Sequence, residues 1–207
     1  KQAQRVPEYS ERPCIVINSI VASTAKKQFA RALNFQEDDT TGLPACADNQ
    51  RRLLYVHIPF CEELCPYCSF HRVRLDEPLA RRYHAALRRE MALYRRQGYR
   101  FSGLYVGGGT PTILMDELAE TLQIARDLFP IESVSVETNP NHLTDAHLSV
   151  LKRAGVHRLS VGVQTFDDGL LKKMARYDKY GSGEDIAARL SAAQGVLPIR
   201  TSRSGCA

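Results

Sequence analysis

From Leu53 onward the sequence alternates short β-rich apolar runs with amphipathic helical patterns. The apolar runs are LLYVHI (53–58), GLYVGG (103–108), VSVETN (134–139) and RLSVGVQ (158–164). The helical patterns cover 79–94, 116–129, 145–154, 167–176 and 184–193. Parallel strands need a crossover of a dozen or more residues between them, usually a helix. The alternation therefore predicts an α/β fold with a parallel sheet and outer helices, open or closed into part of a barrel.

Polar or glycine-rich residues follow each predicted strand directly. A cysteine-containing loop follows the first, GGGTPT (107–112) the second, Glu137 to Pro140 the third, and Gln164 ends the fourth. In parallel α/β folds, functional residues lie on the loops after the carboxyl ends of strands. The sequence thus predicts one functional rim.

The amino-acid composition limits the classes of protein to which this chain can belong. The 207 residues suit one domain with an appendage, and 43% hydrophobic residues suffice for a sizeable core. No apolar run reaches the ~18 residues of a membrane span, and the polar start of the sequence lacks an export signal. Three of the six cysteines fall within eight residues. Such a cluster predicts a metal site in a reducing, cytoplasmic compartment and no membrane partner.

The cysteine cluster is the most specific motif. Cys61, Cys65 and Cys68 form a C-x3-C-x2-C pattern. Three thiolates can each ligate one iron of a cubane cluster, which leaves the fourth iron open for a substrate. The alternative is a structural zinc site, for which His57 and His71 are the nearest candidates for a fourth ligand.

The helical pattern at 79–94 is rich in arginine. A helical wheel places Leu79, Tyr83, Ala86, Leu87 and Tyr94 on one side, and Arg81, Arg82, Arg88, Arg89, Arg95 and Arg96 on the other. An arginine face can bind nucleic acid or an acidic partner. The favoured interpretation is a solvated outer face, and nucleic acid is not expected as a partner.

The chain is predicted to contain an N-terminal leader (1–50), a core (51–196) and an irregular tail (197–207). Within the leader, 14–22 is predicted to be a strand and 24–35 a helix that begins at a Ser/Thr cap.

The segment YVHIPFCEELCPYCSF resembles the cluster loop of the radical S-adenosylmethionine (SAM) superfamily. GGGTPT, SVETNPN and RLSVGVQTFDD extend the similarity over roughly residues 53–194. The sequence is most similar to the branch of oxygen-independent coproporphyrinogen III oxidase, which includes haem chaperones, haem-degrading methyltransferases and other class C methyltransferases. The resemblance implies a partial (β/α) radical SAM barrel, incomplete at its C-terminus.

The resemblance also implies the cofactors and their ligands. A [4Fe–4S] cluster is expected on Cys61, Cys65 and Cys68, with SAM on its open iron. The expected SAM contacts are Gly107, Gly108 and Gly109 for the amino group, with Thr110 and Pro111 shaping the turn. Glu137 is expected to bind the ribose hydroxyls, Gln164 and Arg176 the carboxylate region, and Tyr67 the adenine, with Tyr55 as a further contact. Tyr55 is also the expected catalytic residue near cluster and substrate.

The implied activity is that of a radical SAM oxidoreductase in or near porphyrin and haem metabolism. It would cleave SAM reductively to a 5′-deoxyadenosyl radical, with a small, porphyrin-like substrate and a one-electron donor such as flavodoxin or ferredoxin. The alternatives are a radical SAM methyltransferase, a haem chaperone and an inactive remnant. A zinc-stabilised module that binds nucleic acid is the alternative from a different class.

Two features depart from the family pattern. The oxidase proper has an additional cysteine two positions after the third ligand, and this chain has Phe70 there. The sequence after Val196 shows no further strand pattern and no substrate-binding domain. We therefore expect a truncated or fragmentary chain that retains the cluster loop, folds marginally and has little turnover.

Overall fold

A computed structural model describes residues 50–202 together with Thr24, Gln28, Ala45, Cys46 and Asp48. The strand predicted over 14–22 lies outside the described residues. Of the helix predicted over 24–35, only Thr24 and Gln28 are described, and both are helical and exposed. The chain divides into two units, Lys1–Gly42 and Leu43–Ala207, and the fold below is that of the second.

Within residues 50–202 the strands and helices alternate as the sequence predicts. The strands are β1 (Arg52–Ile58), β2 (Phe60–Cys61), β3 (Val73–Arg74), β4 (Phe101–Gly108), β5 (Ser133–Thr138), β6 (Arg158–Gly162) and β7 (Ile199–Ser202). The helices are α1 (Glu77–Arg96), α2 (Met115–Leu128), α3 (Asp145–Arg153), α4 (Asp168–Lys173), α5 (Tyr177–Tyr180) and α6 (Gly183–Gln194). Single 3₁₀ turns, Pro111–Ile113 and Pro140–His142, follow β4 and β5.

The main sheet has five parallel strands in the order β1-β4-β5-β6-β7. Each crossover moves one strand further in the same direction. A doubly wound sheet reverses its order at a switch point, whereas a barrel does not. The prediction of a parallel α/β fold with outer helices, arranged as a section of a barrel, is confirmed. A small parallel pair, β2 before and β3 after, flanks the cysteine loop.

The sheet separates the hydrophobic core from the polar face. Successive side chains in a strand point to opposite faces. In β5, Val134 and Val136 are fully buried in the core, and Leu159 and Val161 of β6 pack beside them. The intervening residues face the other way, so that Glu137 lies opposite Ser160 in the strand register. The face that carries Glu137 lines the cavity described below.

The prediction of an irregular tail over 197–207 is wrong for Ile199–Ser202, which form β7. This strand pairs in parallel with β6, with Leu159 opposite Ile199 and Val161 opposite Thr201. Four residues are too few for a recognisable alternation. The residues form a strand because the edge of β6 offers unpaired backbone N–H and C=O groups. Such groups favour pairing with any segment that lies beside them. The ordered core therefore extends past residue 196.

Helix α1 buries the predicted apolar face in part, since Tyr83, Leu87 and Tyr94 pack against the core as expected. Ala80, His84 and Met91 are its buried residues, whereas Leu79 is 43% exposed and Ala86 is exposed. Asp76 caps the N-terminus of the helix, because its carboxylate accepts a hydrogen bond from the backbone amide of Leu79 at 2.9 Å. The helical wheel took only the apolar residues into account. It left out an attraction between charged residues of α1 and α2, and this attraction turns His84 inward.

That attraction comes from a group of ion pairs between α1 and α2. Glu117 of α2 accepts hydrogen bonds from Arg88 at 2.7 Å and from Arg81 at 3.1 Å. Asp116 lies in the first turn of α2 and pairs with Arg81 at 2.7 Å. The prediction of a solvated arginine face is therefore wrong for Arg88, whose side chain is 14% exposed. The side chain of Arg81 is 41% exposed despite its ion pairs, and Arg82, Arg89, Arg95 and Arg96 are exposed as predicted. No helix in the described part of the chain is long and apolar enough to cross a membrane.

His84 should make folding stability depend on pH. It is 0% exposed, with Nδ1 3.1 Å from Thr121 Oγ1, and burial lowers its pKa below the ordinary 6.5. As the pH falls below about 6.5, the unfolded chain therefore takes up a proton before the folded chain does. The free energy of unfolding should decrease through that window and level off below the folded pKa. Burial likewise lowers the pKa of His142, which adds a decrease of the same sign.

Urea denaturation at a series of pH values between 8 and 5 checks this prediction. His84→Gln should flatten the pH profile in part, because the His142 contribution remains. His71→Gln is the matched control, since His71 is exposed and should leave the profile unchanged. An unaltered slope in His84→Gln would show that the buried ring is not responsible.

Candidate functional site

A cavity of about 260 Å³ opens where the main-sheet strands end. It is lined by the three clustered cysteines and by residues that follow β4, β5 and β6. These residues are Cys61, Cys65, Tyr67, Cys68, Phe70, Arg72, Gly108, Gly109, Thr110, Glu137, Asn139, Ser160, Gly162, Gln164, Arg176, Lys179 and Tyr180, together with Glu63 and Thr138. The predicted functional rim thus forms one concave site.

The cysteine loop brings three free thiols to this cavity. Cys61 lies in β2 and is 8% exposed, whereas Cys65 and Cys68 are half-buried. Burial raises the pKa of the Cys61 thiol, and a hydrogen bond from Thr110 Oγ1, at 3.7 Å, opposes the shift. The Cys68 amide donates to the Cys65 carbonyl at 3.2 Å and closes a turn between them. Thiolates in this arrangement are suitable ligands for iron–sulfur clusters.

A single metal ion fits the loop less well. Among residues 50–202 and the few described before them, no three His, Cys, Asp or Glu side chains have the spacing to hold one ion. The zinc alternative needs His57 or His71 as the fourth ligand. His57 uses Nδ1 for Tyr55 Oη, at 2.9 Å, and Nε2 for the carbonyl of His71, at 3.0 Å. His71 is exposed.

The glycine loop after β4 is held against the cysteine strand. The amide of Gly109 donates to Ile58 O at 2.7 Å, and that of Thr110 to Phe60 O at 2.8 Å. A Cβ at Gly109 would approach the Cys61 sulfur to 2.9 Å, and Gly108 has φ +116°. Only glycine tolerates both the close approach and the positive φ. These residues therefore place backbone groups beside the first cysteine.

Glu137 is oriented by two donors. Tyr105 Oη donates to Oε1 at 2.5 Å, and the amide of Gly108 donates to Oε2 at 3.1 Å. Burial, followed by the hydrogen bond to Glu137, raises the pKa of Tyr105 to about 12, so that the phenol keeps its proton. A carboxylate has about four acceptor sites, and the two that remain can accept further hydroxyl groups.

Arg176 is a buried cation at the opposite wall. Its guanidinium donates to Tyr67 Oη at 2.8 Å and to Gly162 O at 2.5 Å, and Nη1 lies 3.8 Å from the Cys65 sulfur. It is 3% exposed, and its Nε has no hydrogen-bond partner. Burial raises the pKa of Tyr67 to about 12. The prediction that Arg176 lies on the helix after β6 is wrong: α4 ends at Lys173, and Arg176 precedes α5.

Gln164 and Tyr55, two of the residues predicted to contact SAM, lie in positions unlike those of the other predicted contacts. Gln164 lies beyond the end of β6, with φ +71°, and lines the cavity. Tyr55, the predicted catalytic residue, is 53% exposed and is not one of the lining residues. Its ring stacks on Tyr105 with centroids 6.0 Å apart, and its hydroxyl contacts His57. Tyr55 thus borders the site through Tyr105, whose hydroxyl contacts Glu137.

The sequence did not indicate several residues of the site. Arg72 Nη2 donates to the carbonyl of Cys65, and its position four residues after Cys68 was an available signal. Lys179 and Tyr180 lie on the four-residue helix α5, which has no sequence motif. Only the fold brings α5 to the cysteine loop.

Comparisons with known proteins identify the family and fold of this chain. The model of the radical SAM superfamily matches residues 55–193. The heme chaperone HemW of Bacillus subtilis is 42% identical over 132 residues, which cover 60% of this chain and 35% of that protein. The oxygen-independent coproporphyrinogen III oxidase of Cereibacter sphaeroides is 38% identical over 136 residues, 61% of this chain and 30% of the relative.

The structure of the radical SAM enzyme coproporphyrinogen III oxidase (HemN) from Escherichia coli superimposes with a TM-score of 0.63 at 29% identity. The match covers 73% of this chain and 36% of that one. The chain therefore spans about a third of the length of the curated relatives it matches.

Proposed function

Because the chain belongs to the radical SAM superfamily, we propose that it binds a [4Fe–4S] cluster through Cys61, Cys65 and Cys68 and SAM in the adjoining cavity. One observation supports this above all: three free thiols and the polar residues of three strand ends line the same cavity. When bound, the two cofactors supply reductive cleavage of SAM to a 5′-deoxyadenosyl radical. The protein binds, orients and shields them.

The residues of the cavity have complementary tasks in this proposal. Glu137, already oriented by Tyr105 and Gly108, accepts hydrogen bonds from the ribose hydroxyls. Backbone groups of Gly108, Gly109 and Thr110 bind the amino group, and Tyr67 faces the adenine. The free Nε of the buried Arg176, with Gln164, faces the carboxylate. Fixed polar groups in a partly enclosed cavity cost no reorganisation when the ligand binds.

The proposed activity is that of an oxidoreductase in or near porphyrin and haem metabolism. The sequence similarity to oxygen-independent coproporphyrinogen III oxidases supports it. The substrate would be a small, porphyrin-like molecule, and flavodoxin or ferredoxin would supply the electron. A cluster of free thiols suits a reducing compartment such as the cytoplasm.

Phe70 favours a second candidate, a haem chaperone. Its side chain is 59% exposed, lines the cavity and cannot ligate iron, although the oxidase has a cysteine at this position. The similarity to the heme chaperone HemW supports the same alternative. Haem titration separates the two: a chaperone should shift the haem absorption band on binding and leave coproporphyrinogen III unchanged.

Anaerobic reconstitution with iron and sulfide tests the proposal. We expect brown protein with iron and sulfide in equal amounts and an absorption spectrum that changes on addition of SAM. Assay for 5′-deoxyadenosine after reduction then measures cleavage. Colourless protein that contains only zinc, or a cluster whose spectrum ignores SAM, would contradict the proposal.

A further inference from the structure

The cysteine loop is tied to the rest of the site by Glu62, the residue after the first cysteine. Its Oε2 lies 2.6 Å from Lys179 Nζ, and its Oε1 lies 3.3 Å from His142 Nε2. The side-chain amide nitrogen Nδ2 of Asn141 donates to Glu62 Oε2 at 3.5 Å. The three partners belong to two separate segments, the turn after β5 and helix α5. One side chain therefore joins the loop to two strand-end segments.

The partners of Glu62 are themselves firmly held. His142 is 7% exposed, and its Nδ1 lies 2.7 Å from Thr112 Oγ1, which in turn lies 2.7 Å from Thr138 Oγ1. The side chain of Lys179 is 13% exposed, with its ammonium 5.5 Å above the ring of Tyr180. A loop bound to such partners adopts their position, because packed and hydrogen-bonded side chains rarely move alone.

The ion pair differs from an ordinary surface pair. Exposed pairs contribute little because water solvates both charges well when they separate. Here Lys179 is largely withdrawn from water, and loss of the carboxylate would leave its ammonium without its acceptor. Although partial burial opposes it, the hydrogen bond and charge of Lys179 hold the pKa of Glu62 below its usual value. The loop segment 62–64 has no other side-chain hydrogen bond or ion pair in the structure as described.

We propose that Glu62 is a positioning residue, which latches the cysteine loop onto Lys179 and His142 so that the buried Cys61 is in place before a cluster binds. We call these three residues the loop latch. Its role for a cluster rests on the proposed function, but the latch itself belongs to the apoprotein and can be measured there.

Alkylation of the cysteines in anaerobic apoprotein, mapped by mass spectrometry, measures the latch without a cluster. Cys61 is 8% exposed, so that its thiol reacts mainly when the loop opens, and the half-buried Cys46 outside the loop is an internal reference. In Glu62→Ala we expect alkylation of Cys61 relative to Cys46 to be about ten times faster. In the matched control Glu63→Ala, which removes an adjacent exposed carboxylate that has no ion pair within the described part of the chain, the change should stay below about twofold.

A charge exchange separates the latch from a general loss of structure. The double variant Glu62→Lys/Lys179→Glu restores an ion pair and should return the Cys61 rate to within about threefold of wild type. Lys179→Glu alone should accelerate alkylation as Glu62→Ala does. Equal acceleration in Glu63→Ala, no acceleration in Glu62→Ala, or no rescue by the exchange would overturn the proposal.

Iron loss from reconstituted protein is the second measurement. A chelator should remove iron from Glu62→Ala several-fold faster than from wild type. If the apoprotein rates change as expected but no variant takes up iron, the latch stands and the proposed function fails. If iron binds normally while alkylation is unchanged, the latch fails and the proposed function stands.

Discussion

Replacing Cys65 with alanine should abolish cluster binding and leave the loop in place. The carbonyl of Cys65 accepts hydrogen bonds from the Cys68 amide and from Arg72, and both contacts involve only the backbone of residue 65. The thiol alone is therefore lost. Because a cubane cluster needs each of its cysteine ligands, iron in the reconstituted variant should fall to background. Colorimetric iron analysis and visible absorption measure the loss.

Cys46→Ala is the matched control. Cys46 is likewise a free, half-buried thiol, which accepts a hydrogen bond from Arg52 at 3.2 Å, but it lies outside the cysteine loop. This variant should take up as much iron as wild type. Full iron loading of Cys65→Ala, or equal losses in both variants, would contradict the ligand assignment.

Replacing Glu137 with glutamine should weaken SAM binding by about 10- to 100-fold, since a hydrogen bond to a charged group is worth about 1.5–3 kcal/mol. Tyr105 and the amide of Gly108 each donate to one carboxylate oxygen. Glutamine has a single oxygen acceptor, so that one donor loses its partner while the acceptor for ribose disappears. Equilibrium dialysis of reconstituted protein with labelled SAM measures the change.

Glu132→Gln controls for the loss of one negative charge near the same strand. Its side chain is 63% exposed and pairs with Arg51 on the surface. SAM affinity should be unchanged in this variant. Iron content should be normal in both variants, because the carboxylate of Glu137 is held by Tyr105 and Gly108 and has no hydrogen bond to any of the described cysteines. Unchanged SAM affinity in Glu137→Gln would remove Glu137 from the proposed binding site.

The order of elements could be predicted from the sequence because it depends on local patterns. Valines that alternate with polar residues in VSVETN (134–139) predict a strand with one buried face, and its ends agree with β5 within one residue. The strand β7 could not be predicted, since its four residues become a strand only beside the open edge of β6. The buried position of His84 on α1 also depends on a neighbour, because Glu117 on α2 pairs with Arg81 and Arg88 on either side of it.

The sequence by itself determined which chemistry is available. The spacing of Cys61, Cys65 and Cys68 fixes three soft ligands within one loop, and their position after the first strand fixes the end of the sheet at which they lie. Both properties depend on covalent connectivity and on the direction of parallel strands. Neither requires knowledge of distant contacts.

Only the tertiary structure decided which side chains surround those thiols. Arg176 and Lys179 are more than 100 residues from the cysteine loop, yet they reach Cys65 and Glu62 because α5 lies at the ends of the strands. Tyr55, by contrast, is close to the cysteine loop in sequence but is exposed and does not line the cavity; it stacks on Tyr105, which contacts Glu137. Contacts between distant segments depend on how helices pack on the sheet, which no local pattern encodes.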